Sequence, residues 1–252
     1  MNEHNDDAPA RIKGVDVSHY NGVIDWKKVK EAGYQFAFLK ATEGVDLVDE
    51  TFAANRRGAR EAGLSVGYYH FFRPNDSVDA QVTFFIRTIG RLELDALRPV
   101  LDVEDPRIWR HYTVQQRVAM IVDWCQKVKK SLGVTPMIYA SPKFVEEILE
   151  SAPELAAYDL WIANYNVPEP NVPKPWTKWI FWQNNDKGTV PGINGEVDMN
   201  LFNGSDISKS RSRDNDDVVD DEPGLLAKIL FAGITILFFV GLIAVLADKF
   251  HN

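Results

Sequence analysis

Short β-rich runs alternate with helical patterns from Arg11 to about Phe202. The runs that read as strands are Ile12–Val17, Phe36–Ala41, Ser65–Phe71, Val100–Val103, Pro136–Tyr139, Leu160–Ala163, Trp179–Trp182 and Val197–Leu201. Between them lie helical patterns at Asp25–Ala32, Asp49–Ala62, Ser77–Ile89, Val114–Leu132 and Pro142–Leu149. Thr113 and Ser141 stand where N-caps belong, and Ser141 is followed by a first-turn proline, Pro142. Gly33 and Gly63 follow Ala32 and Ala62, where a left-handed residue closes a helix. Strand, helix, strand at this spacing predicts right-handed parallel crossovers. Eight strands in about 190 residues predict an α/β fold, a modified TIM-like β/α barrel that is short for its class. Roughly five β/α units come first; the later strands are expected to be shorter and the final part irregular or antiparallel, because little chain is left there for helices. An open doubly wound sheet would need a Gly-rich phosphate turn after its first strand, and VDVSHYNG has none.

The pattern breaks down at both ends. Residues 1–10 are polar and acidic, lack the basic and apolar regions of a secretory signal, and are expected to be loose. The barrel is expected over 11–203, followed by an acidic flexible linker over 204–224. A transmembrane helix is expected over 225–247, with a short tail at 248–252. Its apolar run, Ile229 to Ala247, carries no charge, and 19 helical residues reach about 28 Å, close to the hydrocarbon thickness of a bilayer. Lys228 and Lys249 bracket the run and can snorkel to the interfaces. Lys209, Arg211, Arg213 and Lys228 precede it, and only Lys249 follows closely. The positive-inside rule then starts the barrel on the cytoplasmic side of a single-pass, tail-anchored protein whose partner is the lipid bilayer, the bacterial inner membrane on this reading.

Composition narrows the chemistry. A net charge of −8 argues against a nucleic-acid partner. The single cysteine, Cys125, excludes an internal disulfide, and its helical setting reads as a small buried hydrophobe. The histidines are scattered without ligand spacing, so neither a metal nor another cofactor is implied.

Four acids fall at or beside the carboxyl ends of predicted strands: Asp16, Asp102, Glu104 and Asp198. In a β/α barrel that end gathers the loops that build active sites. In the run LDVED, Asp102 and Glu104 are two residues apart, so a strand would project them to one side. Two crowded carboxylates cannot both ionise easily, so one holds a proton near neutral pH. Glycosidic cleavage requires such a proton donor beside an ionised partner. Loop capping, or pairing with arginines, is the alternative use of these acids.

With those residues in place, the chain resembles glycoside hydrolase family 25, the Chalaropsis-type lysozymes, from Lys13 to Phe202. The motifs occur in the family's order. They are the opening stretch with Asp16, Asn21-Gly22 and Phe38 to Gly44, then GYYHFFRP, LDVED, MIYAS, LWIANY, WQ and VDMNLF. The resemblance implies hydrolysis of the β-1,4 bond between N-acetylmuramic acid and N-acetylglucosamine in peptidoglycan strands, with retention of configuration. It implies Glu104 as general acid/base and Asp102 as its partner, stabilising the transition state or steering the substrate's N-acetyl group. Asp16 and Asp198 would complete the acidic floor, with Asp16 also cast as nucleophile; the covalent and substrate-assisted routes both stay open. Tyr68, Tyr139, Trp161 and Gln183 match positions expected to contact sugars. Lys40 and Glu43 match the signature, as substrate contacts or as an ion pair holding a loop, and His70 is expected to be structural. The implied role is lysis, as in a phage-type endolysin. The alternatives are a wall-remodelling muramidase, a sugar-binding barrel without catalysis, and a structural membrane protein.

Overall fold

Eight strands close a ring in the computed structural model, which describes residues 11–211. In chain order the strands are β1 (Ile12–Val17), β2 (Phe36–Glu43), β3 (Leu47–Val48), β4 (Ser65–Phe71), β5 (Val100–Asp102), β6 (Met137–Ala140), β7 (Leu160–Ala163), β8 (Phe181–Gly188) and β9 (Val197–Phe202). Neighbours run parallel from β1 through β2, β4, β5, β6 and β7 to β8. The last strand, β9, pairs antiparallel with both β8 and β1 and so closes the barrel. The two-residue β3 only hooks back onto β2.

Alternation along the strands divides the apolar residues into two sets. Phe36, Phe38, Val100, Met137, Trp161, Phe181 and Phe202 fill the barrel interior. Val15, Val17, Leu39, Ala41, Val66 and Tyr68 belong to the larger cluster between barrel and helices. The inner rings are large, and glycine makes room for them: a Cβ at Gly14 would lie 2.3 Å from Phe36, and one at Gly67 2.5 Å from Phe38. Phe38 stacks on Trp161 at 4.4 Å between centroids and meets Phe181 edge-on at 4.9 Å. This aromatic plug makes the interior a packed core rather than a pore, leaving only the mouth for chemistry.

Outside the ring lie α1 (Trp26–Glu31), α2 (Phe52–Glu61), α3 (Val78–Ile89), α4 (Pro106–Trp109), α5 (Val114–Leu132) and α6 (Pro142–Ile148). Thr113 and Gln116 form a reciprocal capping box on α5, and Ser141 caps α6 ahead of Pro142. Gly33 and Gly63 take positive φ just past α1 and α2, as helix closure at those positions requires.

Several boundaries differ from the sequence expectation. Helix α2 begins at Phe52 because Asp49 folds a turn first, accepting from the backbone NH and hydroxyl of Thr51. Strand β8 runs eight residues instead of being short, because β9 extends its ladder beyond the parallel neighbour. The region expected to start a linker stays on the barrel to Arg211: Ile207–Ser210 form a 3-10 turn, Ser210 accepts from the amide of Arg98, and Arg211 bridges Leu97. Among the described residues no helix is long and apolar enough to cross a membrane. The expected loose residues 1–10, the rest of the linker, and the expected span and tail, including Ile229 to Ala247, lie outside the described residues.

Candidate active site

The carboxyl ends of the parallel strands open into a pocket of about 230 Å³. Its walls are Asp16, Tyr69, Asp102, Glu104, Tyr139, Trp161, Tyr165, Gln183, Asp186 and Asp198. Each acid arrives by a different route. Asp16 and Asp198 are register partners across the antiparallel β1–β9 pair, so their side chains leave the sheet on the same side. Asp102 is the last residue of β5, opposite Tyr139 on β6. Glu104 lies two residues on, at the rim, where the next helix is set by Asp105 and Pro106. The amide of Val103 still donates to Tyr139, and the ring NH of Trp109 donates to the carbonyl of Glu104 at 3.0 Å, so the backbone on both sides of the acids is held.

A hydrogen-bond network orients Asp16. Gln183 Nε2 and Asn200 Nδ2 both donate to Asp16 Oδ2, at 2.8 and 2.6 Å. Each amide is fixed in turn: Trp161 Nε1 donates to Asn200 Oδ1 at 2.7 Å, and the hydroxyls of Tyr139 and Tyr165 donate to Gln183 Oε1. Aromatic donors, one on Asn200 and two on Gln183, therefore dictate which way each amide points, and each amide presents its NH₂ to Asp16.

The electrostatics separate the acids. Burial raises the carboxyl of Asp16 to about 6, against the lowering effect of its two amide donors and a hydrogen bond with Asp198. Burial, followed by the charges of Asp16 and Asp186, raises Asp198 further, to about 8. Burial and then Glu104 raise Asp102 well above the usual carboxylate range, opposed by Lys40. Glu104 is also raised, by desolvation among the pocket walls and by Asp16, although its surface reaches solvent. Asp102 Oδ1 is buried and has no hydrogen-bond partner among the described residues. Near neutral pH the pocket thus holds protons on some carboxyls and charge on others, the division that acid-assisted cleavage uses.

Of the residues picked out from the sequence, Asp16, Asp102, Glu104, Asp198, Tyr139, Trp161 and Gln183 line the pocket. Tyr68 does not. It points out of the barrel, where its hydroxyl donates to Glu93 at 2.8 Å and Arg56 lies 4.9 Å over its ring. The tyrosine at the pocket is its neighbour Tyr69, since successive strand residues face opposite sides. Lys40 and Glu43 stand beside the pocket, not on its wall: Lys40 Nζ lies 2.6 Å from Glu43 Oε2, and Arg73 holds the other oxygen. They form the ion pair beside the β2–β3 turn, the loop-holding role that the sequence allowed for them. His70 is structural, buried between Thr42 Oγ1 and Gln81 Oε1 and stacked on Trp124; burial lowers it to about 4, so it stays neutral. The sequence reading missed Tyr69, Tyr165 and Asp186. Gly67 carried a signal for the first: the inner face must be open at Gly67, so Tyr69, two residues on, faces inward as well.

A closed barrel with crowded carboxyls at its mouth, one of them at the open rim, defines a site of glycosidase type. A family model described as glycosyl hydrolases family 25 matches residues 15–193. Lysozyme M1 of Streptomyces globisporus is 39% identical over 202 residues, covering 77% of this chain and 70% of that protein. The N,O-diacetylmuramidase of a Chalaropsis species is 28% identical over 203 residues, covering 74% and 96%. The crystal structure of the bacterial lysozyme from Streptomyces coelicolor superposes with a TM-score of 0.75 at 36% identity, covering 78% of this chain and 94% of that one. The chain belongs to glycosyl hydrolase family 25 and is an enzyme that hydrolyses glycosidic bonds.

Proposed function

We propose that the chain is a muramidase, cutting the β-1,4 bond between N-acetylmuramic acid and N-acetylglucosamine in peptidoglycan. One observation carries this reading: Glu104, Asp102, Asp16 and Asp198 converge on a single open pocket at the barrel mouth. Glu104, at the rim with a raised pKa, donates its proton to the leaving glycosidic oxygen and then takes one from the incoming water. The positive charge that develops at the anomeric carbon faces Asp16, the carboxyl best supplied with donors and so the most readily ionised of the buried three. Asp102 offers a buried oxygen with no protein partner, an acceptor for the N–H of the substrate's 2-acetamido group. That favours the substrate-assisted route, with Asp102 steering the acetamido oxygen towards the anomeric carbon. Tyr69, Tyr139, Trp161 and Tyr165 supply ring and hydroxyl surface to the sugars. The test is release of reducing ends from purified peptidoglycan by the full chain. A folded protein inactive on several wall types would overturn the reading.

The apolar run Ile229 to Ala247 and the four basic residues ahead of it support a bilayer anchor with the barrel starting on the cytoplasmic side. The corresponding role is cell lysis by an enzyme held at the inner membrane until that membrane is breached. Reporters fused before Met1 and after Asn252 test this. A barrel found outside the membrane from the start would replace lysis with wall remodelling.

A further inference from the structure

Asp186 lines the pocket yet has no part in the chemistry above. Its position comes from two faults in the β8–β9 ladder. Pairing runs Gln183 to Asn200, then Asn185 to Met199, then Gly188 to Val197, so β8 twice uses one residue more than β9. Strict alternation from the inward Gln183 would turn Asn185 inward and Asp186 outward. The bulges reverse this: Asn185 turns to the sulfur of Met199, and Asp186 reaches the pocket wall. The carboxylate of Asp186 is exposed and has neither a hydrogen bond nor an ion pair among the described residues.

We propose that Asp186 is a positioning residue for the reaction, whose charge keeps the proton of the Asp16–Asp198 pair on Asp198 and leaves Asp16 ionised. The pair is symmetric in register, and its surroundings are not. Asp16 receives two amide donors, which favour its charge. Asp198 is faced by Asp16 from β1, by Asp186 from β8 and by Glu104 from beyond β5, with the Tyr165 hydroxyl approaching from beyond β7. Among the described residues no Lys or Arg lines the pocket, and Lys40, which stands beside it, acts on Asp102 and Glu104. Amides on one side and a carboxylate on the other sort a shared proton in the same direction.

This rests on the muramidase reading only for its rate measurement. As pH rises, Asp198 loses its proton and a second charge appears beside Asp16. Removing the charge of Asp186 lets that happen at lower pH. In the full chain, Asp186→Asn is expected to move the alkaline limb of kcat on peptidoglycan down by roughly half a pH unit at low salt, and Asp186→Glu to restore it. Titration of the Asp198 carboxyl carbon by ¹³C NMR should show the same fall, shrinking as salt is added. An unmoved Asp198 midpoint in Asp186→Asn overturns the proposal, whatever the rates do. A moved midpoint with an unmoved alkaline limb also overturns it. The NMR midpoint decides the question even if the chain cleaves no peptidoglycan, so its failure is distinguishable from failure of the muramidase reading.

Discussion

Asp16 and Asp198 stand opposite each other on β1 and β9, and their carboxyls share a hydrogen bond. Two acids in contact lower the stability of the folded chain whenever both are charged. Both have folded pKa values above the ordinary Asp value, about 6 and about 8, so the folded state binds more protons than the unfolded one across that range. Stability from these groups is therefore fully present below about pH 4 and is lost as pH rises through the folded values. His70 acts oppositely, with its folded value lowered to about 4, but its contribution is complete above 6.5. Between pH 6.5 and 8 the Tm is expected to fall with rising pH. Asp198→Asn should flatten that slope and raise the Tm at pH 7.5, by about 2–4 °C for each kcal/mol recovered. A thermal scan series shows whether it does.

Glu104→Gln keeps the shape of the rim and removes the transferable proton. Its backbone contacts run through the carbonyl, which the substitution leaves in place. Reducing-end release is expected to drop by about 10²–10⁴-fold with the fold intact, checked by circular dichroism.

Gln183 links the tyrosine hydroxyls to Asp16. In Gln183→Leu the carboxylate of Asp16 loses one of its two amide donors, so its pKa rises. The acid limb of the pH–rate profile should move upward by about half to one unit, the effect of one hydrogen bond worth about 1 kcal/mol. An unmoved acid limb would show that Asp16 does not need its charge.

Tyr68 and Tyr69 should separate stability from activity. Tyr68→Phe removes the hydrogen bond to Glu93 and is expected to cost about 1–2 kcal/mol of stability, with kcat/KM within about twofold of the parent. Tyr69→Ala strips a pocket wall and should lower kcat/KM by ten-fold or more. Denaturant melts run beside the assay distinguish the two.

The same pair shows where sequence reasoning stops. The LDVED acids were legible because both lie at a strand end, where the two-residue period and the barrel's geometry point the same way. GYYHFF was not, because a barrel strand covered by helices is apolar on both faces and the pattern shows no phase. Asp186 was hidden by bulges, which shift the phase without any mark in composition. Tyr165 lies two residues past the end of β7 and keeps the inward phase of Trp161 and Ala163, but in the apolar run LWIANY nothing marks that phase. The strand order was legible up to β7, and the length of β8 was not, because it depends on the partner that β9 supplies.

The ring is closed by its own first and last strands, β1 and β9. A nascent chain therefore cannot complete its catalytic centre until residue 200 has emerged, since Asp198 and the Asn200 amide arrive on the final strand. Synthesis itself acts as a timer: a chain that stops short of β9 lacks the acid and the amide that meet Asp16, and its centre stays incomplete.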